Sequence, residues 1–330
     1  MKVKIIWLIG GLVFFILIWQ IIITTNVISR AKTSLAKKIA GSQINLPQPD
    51  KNALVRPPEK SSGVGDPQIA AKAVILTDVS SAYVMYAKNA DEKMPIASTT
   101  KIMTAMVVLD DFSDKLNDVV NITYPMIAVE GSDIKLVPGE KITVNNLLKG
   151  LLIMSGNDTA TALAIYFGAA QSGSAPAGGQ DAFVAKMNSK AKELCLENTH
   201  FADPAGLDDA GYSTPHDLAI LASYALRHQG FREIVKISET TISSIDGSII
   251  HDLKSSNRLV KSDDPFFYPS AIGIKTGFTY AAGHCLVSAA ARDGHEILGV
   301  VLNTNQNSIT ASAAESRKLL DWGFSNWRWQ

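Results

Sequence analysis

The longest apolar run in the chain lies at its start. Residues 5–23 read IIWLIGGLVFFILIWQIII, with Gln20 as the polar interruption. As a helix this run spans roughly 28 Å, close to the hydrocarbon thickness of a bilayer. Trp7 and Trp19 lie near its ends, where interfacial aromatics are favoured. A cleaved signal has a shorter apolar core, followed closely by a small-x-small site. Here the triplets at 29–31 and 34–36 come late, among basic residues. The pattern predicts an n-region over 1–4 and an uncleaved transmembrane signal-anchor over 5–25. Lys2 and Lys4 precede the span, whereas Arg30, Lys32, Lys37 and Lys38 follow it, so charge leaves the orientation open.

Periodicity is then lost. Residues 31–40 have the pattern of a short amphipathic helix, and 41–68 carry Pro47, Pro49, Pro57, Pro58 and Pro67 among Gly and Ser. Such a composition packs no core, so 26–68 is predicted to be a juxtamembrane linker. As a flexible coil its proline-rich part would reach roughly 30 Å.

From residue 69 to 330 the pattern is that of a folded domain. Residues 73–79 and 82–87 alternate as two strands around Ser80-Ser81, a hairpin pattern. Residues 98–109 form an apolar helix, greasy on most sides. A second helix is expected over 144–154, with Leu147, Leu148, Leu151 and Leu152 on its apolar face. The Gly/Ala/Ser-rich stretch 168–180 reads as a surface loop. Helical patterns return at 181–194 and 215–227. Three strands follow at 271–276, 283–291 and 296–303, the last two joined by a tight turn at Arg292-Asp293-Gly294. A helix at 308–323 closes the chain. Strands at both ends with helices between them predict an α+β fold. Its antiparallel sheet is built from N- and C-terminal strands, is flanked by helices, and carries an inserted helical subdomain. No internal repeat interrupts this reading.

Charge and composition narrow the chemistry only slightly. Lys plus Arg equals Asp plus Glu at 31 each among 330 residues, so no basic excess points to a nucleic-acid partner. Cys195 and Cys285 are too few for a disulfide scaffold, and neither has a C-x-x-C neighbour. None of the six histidines belongs to an H-E-x-x-H motif, and no G-x-S-x-G elbow is present. Neither the cysteines nor the histidines fall in a metal-ligand pattern.

Three short motifs carry more. Ser98-Thr99-Thr100-Lys101 is S-x-x-K, which on a helix sets hydroxyl and amine on one face. A serine hydroxyl needs a base to take its proton. Lys101 could serve if neutral, a state that burial or a nearby positive charge would favour. Ser155-Gly156-Asn157 is S-x-N, a hydroxyl for proton relay and an amide for holding a peptide; alone it reads as a helix cap with Gly156 left-handed. Lys275-Thr276-Gly277 ends a strand: a cation and a hydroxyl for a carboxylate, and a glycine for close backbone approach. Alone it reads as a solvated lysine before a turn. In this order, on helix start, helix junction and strand, the three form one catalytic set.

With those motifs the sequence resembles the serine D-alanyl-D-alanine carboxypeptidases, the low-molecular-mass penicillin-binding proteins. The resemblance covers roughly 68–325, including PIASTTKIMTA (95–105), PGEKITVNNLLKGLLIMSGND (138–158), ENTHFADPAGLDDAGYSTPHDLA (197–219) and the stretch 268–303. It implies a β-lactamase-like D,D-peptidase fold, with 69–330 as the catalytic domain, and an enzyme that needs no metal or organic cofactor and trims the terminal D-Ala from peptidoglycan stem peptides outside the cytoplasmic membrane, which puts the n-region on the cytoplasmic side. It implies that Ser98 is the nucleophile, Lys101 the base and Ser155 the proton relay. Asn157 would hold the peptide, Lys275 and Thr276 would bind the terminal carboxylate, and Gly277 would let the substrate backbone approach closely. The backbone N–H groups of Ser98 and Phe278 would form the oxyanion hole. Partners implied are a stem peptide ending in D-Ala-D-Ala, β-lactams as covalent inhibitors, and the membrane through the N-terminal helix. Two alternatives share some of these features. A β-lactamase would need a further group such as a glutamate to release the acyl-enzyme, and Glu193 and Glu197 are weak candidates. A non-catalytic wall-binding or β-lactam-sensing module could lose Ser98 or either lysine.

Overall fold

The computed structural model describes residues 56–172 and 176–330. The predicted n-region and signal-anchor lie outside the described residues. Among the described residues no helix is long and apolar enough to cross a membrane.

Along the chain, β1 (Glu59–Lys60) precedes a hairpin of β2 (Ala71–Asp78) and β3 (Val84–Lys88). A 3-10 turn over Ala97–Thr100 runs into α1 (Lys101–Asp111). Next come β4 (Val119–Asn121), α2 (Tyr124–Ile127), β5 (Lys141–Thr143) and α3 (Val144–Lys149). The middle is helical: α4 (Asn157–Ser172), α5 (Pro176–Glu193), α6 (Pro215–Leu226) and α7 (Gln229–Val235). A small hairpin, β6 (Glu239–Ser243) and β7 (Ile250–Lys254), leads back to β8 (Ala271–Thr279), β9 (Gly283–Arg292) and β10 (His295–Thr304). The chain closes with α8 (Ala311–Asn326) and β11 (Trp327–Arg328).

The main sheet has the order β3-β2-β10-β9-β8, antiparallel throughout. Both ends of the domain therefore supply it, as the sequence predicts. Its central strands are apolar on both faces because both are covered. Ala73 and Ile75 of β2 face one core with Met103, Met106 and Leu221, whereas Val74 and Leu76 face another with Leu319 and Leu320 of α8. The turn between β9 and β10 is the Asp293-Gly294 pair, with φ of 53° and 81°, the left-handed geometry of a two-residue hairpin.

Three expectations change. The helix expected over 144–154 becomes a π-helical turn at Gly150–Met154, and Ser155, not Gly156, takes the left-handed conformation, at φ 66°. Gly156 is required by crowding instead: a Cβ there would lie 2.7 Å from Asp158 Oδ1. The loop expected over 168–180 is largely helix, since α4 runs to Ser172 and α5 begins at Pro176. A Cβ on Gly168 would fall 1.6 Å from Gly179 O, so these small residues serve helix-to-helix contact rather than chain flexibility. Finally, the linker expected over 26–68 gives way to packed chain by residue 56. β1 pairs with β11, Ser61 N donates to Asn326 O at 2.8 Å, and Trp322 Nε1 donates to Gly65 O at 3.1 Å. A segment without core residues can still dock through its backbone groups and by covering an aromatic face.

Candidate active site

Ser98 sits half-buried in the 3-10 turn that opens α1, so its hydroxyl emerges where the helix begins. One turn on, Lys101 is fully buried, because α1 from Lys101 to Leu109 is enclosed on every side. Lys101 Nζ lies 2.8 Å from Ser98 Oγ, 2.7 Å from Asn157 Oδ1 and 2.7 Å from Ala205 O. Burial pushes its pKa down to about 7, against the opposing pull of Asp203 and Asp158. An amine with that value is a workable base near neutral pH.

Asn157 starts α4 and joins two walls. Its Oδ1 receives the Lys101 bond, and its Nδ2 donates to Glu130 O at 2.6 Å. Ser155, buried just before it, faces the same cleft. That cleft holds about 400 Å³ and is lined by Ser98, Gly131, Ser155, Thr276, Gly277 and Phe278, among others.

The opposite wall is the end of β8. Gly277 passes so close to the nucleophile turn that a Cβ would lie 3.0 Å from Ile96 O and 3.1 Å from Ser98 N. The glycine of the third motif therefore works against the protein's own chain. Thr276 Oγ1 is 2.7 Å from Ser256 Oγ, both on the cleft wall. Phe278 is exposed on the rim and stacks on His284 with ring centroids 4.3 Å apart. Lys275 is enclosed, unlike a solvated lysine before a turn. It is 1% exposed, lies behind the wall, and its Nζ donates to Thr276 O at 3.0 Å. Burial, and after it the charge of Lys101, holds Lys275 well below the ordinary lysine range. The two amines are like charges and disfavour each other's charged form, on top of the burial that leads for both.

Seven of the eight sequence-predicted residues thus meet at one cleft or bond directly behind Ser98, and Lys275 lies beneath the wall. A model of the D-alanyl-D-alanine carboxypeptidase peptidase family matches residues 60–306. The chain belongs to this family. It is 38% identical over 274 residues to a D-alanyl-D-alanine carboxypeptidase of Streptomyces sp. K15, covering 80% of this chain and 91% of that one. It is 35% identical to DacF of Bacillus subtilis, a D-alanyl-D-alanine carboxypeptidase, over 78% of this chain. The match spans 63% of the Bacillus protein's length. The crystal structure of the Streptomyces K15 DD-transpeptidase superimposes with a TM-score of 0.73 at 38% identity, covering 79% of this chain and all of that one.

Several residues that support the site escaped the sequence reading. Asp203 accepts from Ala205 N, Gly206 N and Asp208 N at 2.6–2.7 Å, shaping the loop whose Ala205 carbonyl meets Lys101. Gly206, at φ 77°, brings that loop against the nucleophile turn; a Cβ there would be 2.0 Å from Ala97 O. Asp158 accepts from Ile134 N, Leu136 N and Thr159 N. The signal for Asp203 was present in Asp-Pro-Ala-Gly, an Asx-turn pattern. Asp158 carried none beyond adjacency to Asn157.

Proposed function

We propose that this chain is a serine D,D-carboxypeptidase that removes the terminal D-Ala from peptidoglycan stem peptides through an acyl-enzyme on Ser98. The observation that carries this reading is the buried, readily neutral Lys101 amine 2.8 Å from Ser98 Oγ. Lys101 takes the hydroxyl proton as Oγ attacks the carbonyl between the two D-alanines. The developing oxyanion is received by backbone N–H groups of Ser98 and Phe278, donors of a kind that typically contributes about 3 kcal/mol to the barrier reduction. The tetrahedral carbon then expels the D-Ala amine, which takes the proton from Lys101 by way of Ser155. Water attacks the remaining ester, and Ser98 is restored. Asn157 holds the peptide. Thr276 receives the terminal carboxylate at the wall, with Lys275 beneath; an arriving carboxylate favours the charged form of that amine.

β-Lactams should acylate Ser98 by the same route. The β-lactamase alternative loses support, because among the described residues no carboxylate lines the cleft, and Glu193 and Glu197 are both exposed. A different acyl acceptor has better support: the solved Streptomyces relative is called a DD-transpeptidase, in which an amine would replace water. We also propose that residues 5–25 anchor the enzyme in the cytoplasmic membrane, with residues 56–330 on the extracytoplasmic side. The substrate class of the cleft supports that orientation.

The full-length wild type and Ser98→Ala would be given a stem peptide ending in D-Ala-D-Ala, with released D-alanine quantified. Release by the wild type alone supports the reaction and the nucleophile together. No release from folded wild type would overturn the carboxypeptidase reading.

A further inference from the structure

Behind the Ser155–Asn157 junction, a buried acid–imidazole pair ties the loop before β5 to β7. His251 of β7 and Glu140, just before β5, have side chains only 4% and 0% exposed. His251 Nδ1 lies 2.8 Å from Ile134 O, and Nε2 lies 2.8 Å from Glu140 Oε1. The carbonyl can only accept, so Nδ1 carries the donated proton and the ring orientation is fixed. Glu140 Oε2 accepts in turn from Val137 N at 3.1 Å. Asp158 meanwhile holds Ile134 N at 3.0 Å and Leu136 N at 3.2 Å. The loop 130–140 is therefore pinned at both the amide and the carbonyl of Ile134.

This loop is the first wall of the cleft. Gly131 and Ser132 line it. Ser132 O accepts from Asn157 N at 2.6 Å, and Glu130 O accepts from Asn157 Nδ2 at 2.6 Å. Any shift of the loop thus reaches Asn157, and through it Lys101. The strand carrying His251 runs on to the second wall. Ser256 N donates to Ile153 O at 2.9 Å, and Ser256 Oγ meets Thr276 Oγ1 at 2.7 Å. One side chain therefore ties the loop wall to the strand that leads to the carboxylate wall.

We propose that His251 and Glu140 are positioning residues that set the width of the cleft and the placement of Asn157 against Lys101. This inference rests on the acyl-transfer reading of the same cleft. Neither residue touches the reacting atoms. Their effect is on how well a substrate spanning both walls is held, and small misplacements of reacting groups are costly.

The test is a double-mutant cycle in the full chain with His251→Phe, Glu140→Gln and the combined variant, plus His251→Gln as a milder change. Acylation by a fluorescent penicillin is timed, thermal midpoints are recorded, and amide hydrogen exchange is followed over 130–137. Each single variant is expected to slow acylation roughly tenfold or more, with faster exchange in the loop. The double variant should lose little beyond either single, because the pair acts as one unit. Unchanged acylation with a lowered thermal midpoint would make the pair purely structural and overturn the proposal. So would losses that multiply in the double variant. Should the wild type itself fail to be acylated, the acyl-transfer reading fails; exchange over 130–137 then decides the clamp alone, and unaltered exchange in His251→Phe overturns it.

Discussion

Lys101 Nζ stands 2.8 Å from Ser98 Oγ with no exposed surface of its own, so the proton acceptor of this site is withdrawn from water. Burial is the leading cause of its lowered pKa, at about 7. Acylation by a penicillin should fall about tenfold per pH unit below that value, as Lys101 protonates. A flat acid limb in the pH–rate profile would remove Lys101 from the base role. Lys101→Ala should slow acylation on the order of 10²–10⁴-fold.

The same shift has a sign for stability. The folded value is about 7 and that of an ordinary lysine is 10.5, so between them the unfolded chain binds a proton that the folded chain does not. Stability from this group therefore rises with pH across that window. Urea midpoints of wild type and Lys101→Met should move in the wild type's favour from pH 7 to 10. A pH-independent difference would contradict the buried amine.

Gly277 is expected to tolerate no side chain. In Gly277→Ala the new Cβ meets Ile96 O, Ala97 Cβ and Ser98 N within 3.1 Å, so β8 or the nucleophile turn must move. Acylation should drop roughly ten- to hundredfold while the protein stays folded. Stopped-flow acylation alongside circular dichroism separates the two effects.

The cysteines should behave as two unlike thiols. Burial pushes Cys285 up to about 12, whereas Cys195 is exposed, and both are free. Iodoacetamide should modify Cys195 alone in the native protein and both residues in urea. Mass spectrometry after each treatment reads this directly.

The contact of α4 with α5 predicts a stability effect without a direct effect on chemistry. Gly168→Ala would place a Cβ 1.6 Å from Gly179 O and force the helices apart. A loss of about 1–3 kcal/mol is expected in denaturant unfolding. A neutral result would show that the helices part without cost.

The catalytic set was legible because each motif is short and local. Ser98 and Lys101 share one turn, Ser155 and Asn157 share a junction, and Lys275 to Gly277 share a strand end. The sheet was legible for a similar reason: its strands alternate or run apolar, and Asp293-Gly294 marks its hairpin. Folding decided what distance in sequence hides. It enclosed Lys101 and so lowered its pKa, and it buried Lys275 with its Nζ on Thr276 O. It turned the glycines at 168 and 179 into a helix contact, docked residues 56–68 on the domain, and joined His251 to Glu140 across 111 positions. Residue type determines which chemistry a side chain can do; burial and partners, which only the packed chain supplies, determine whether it does it.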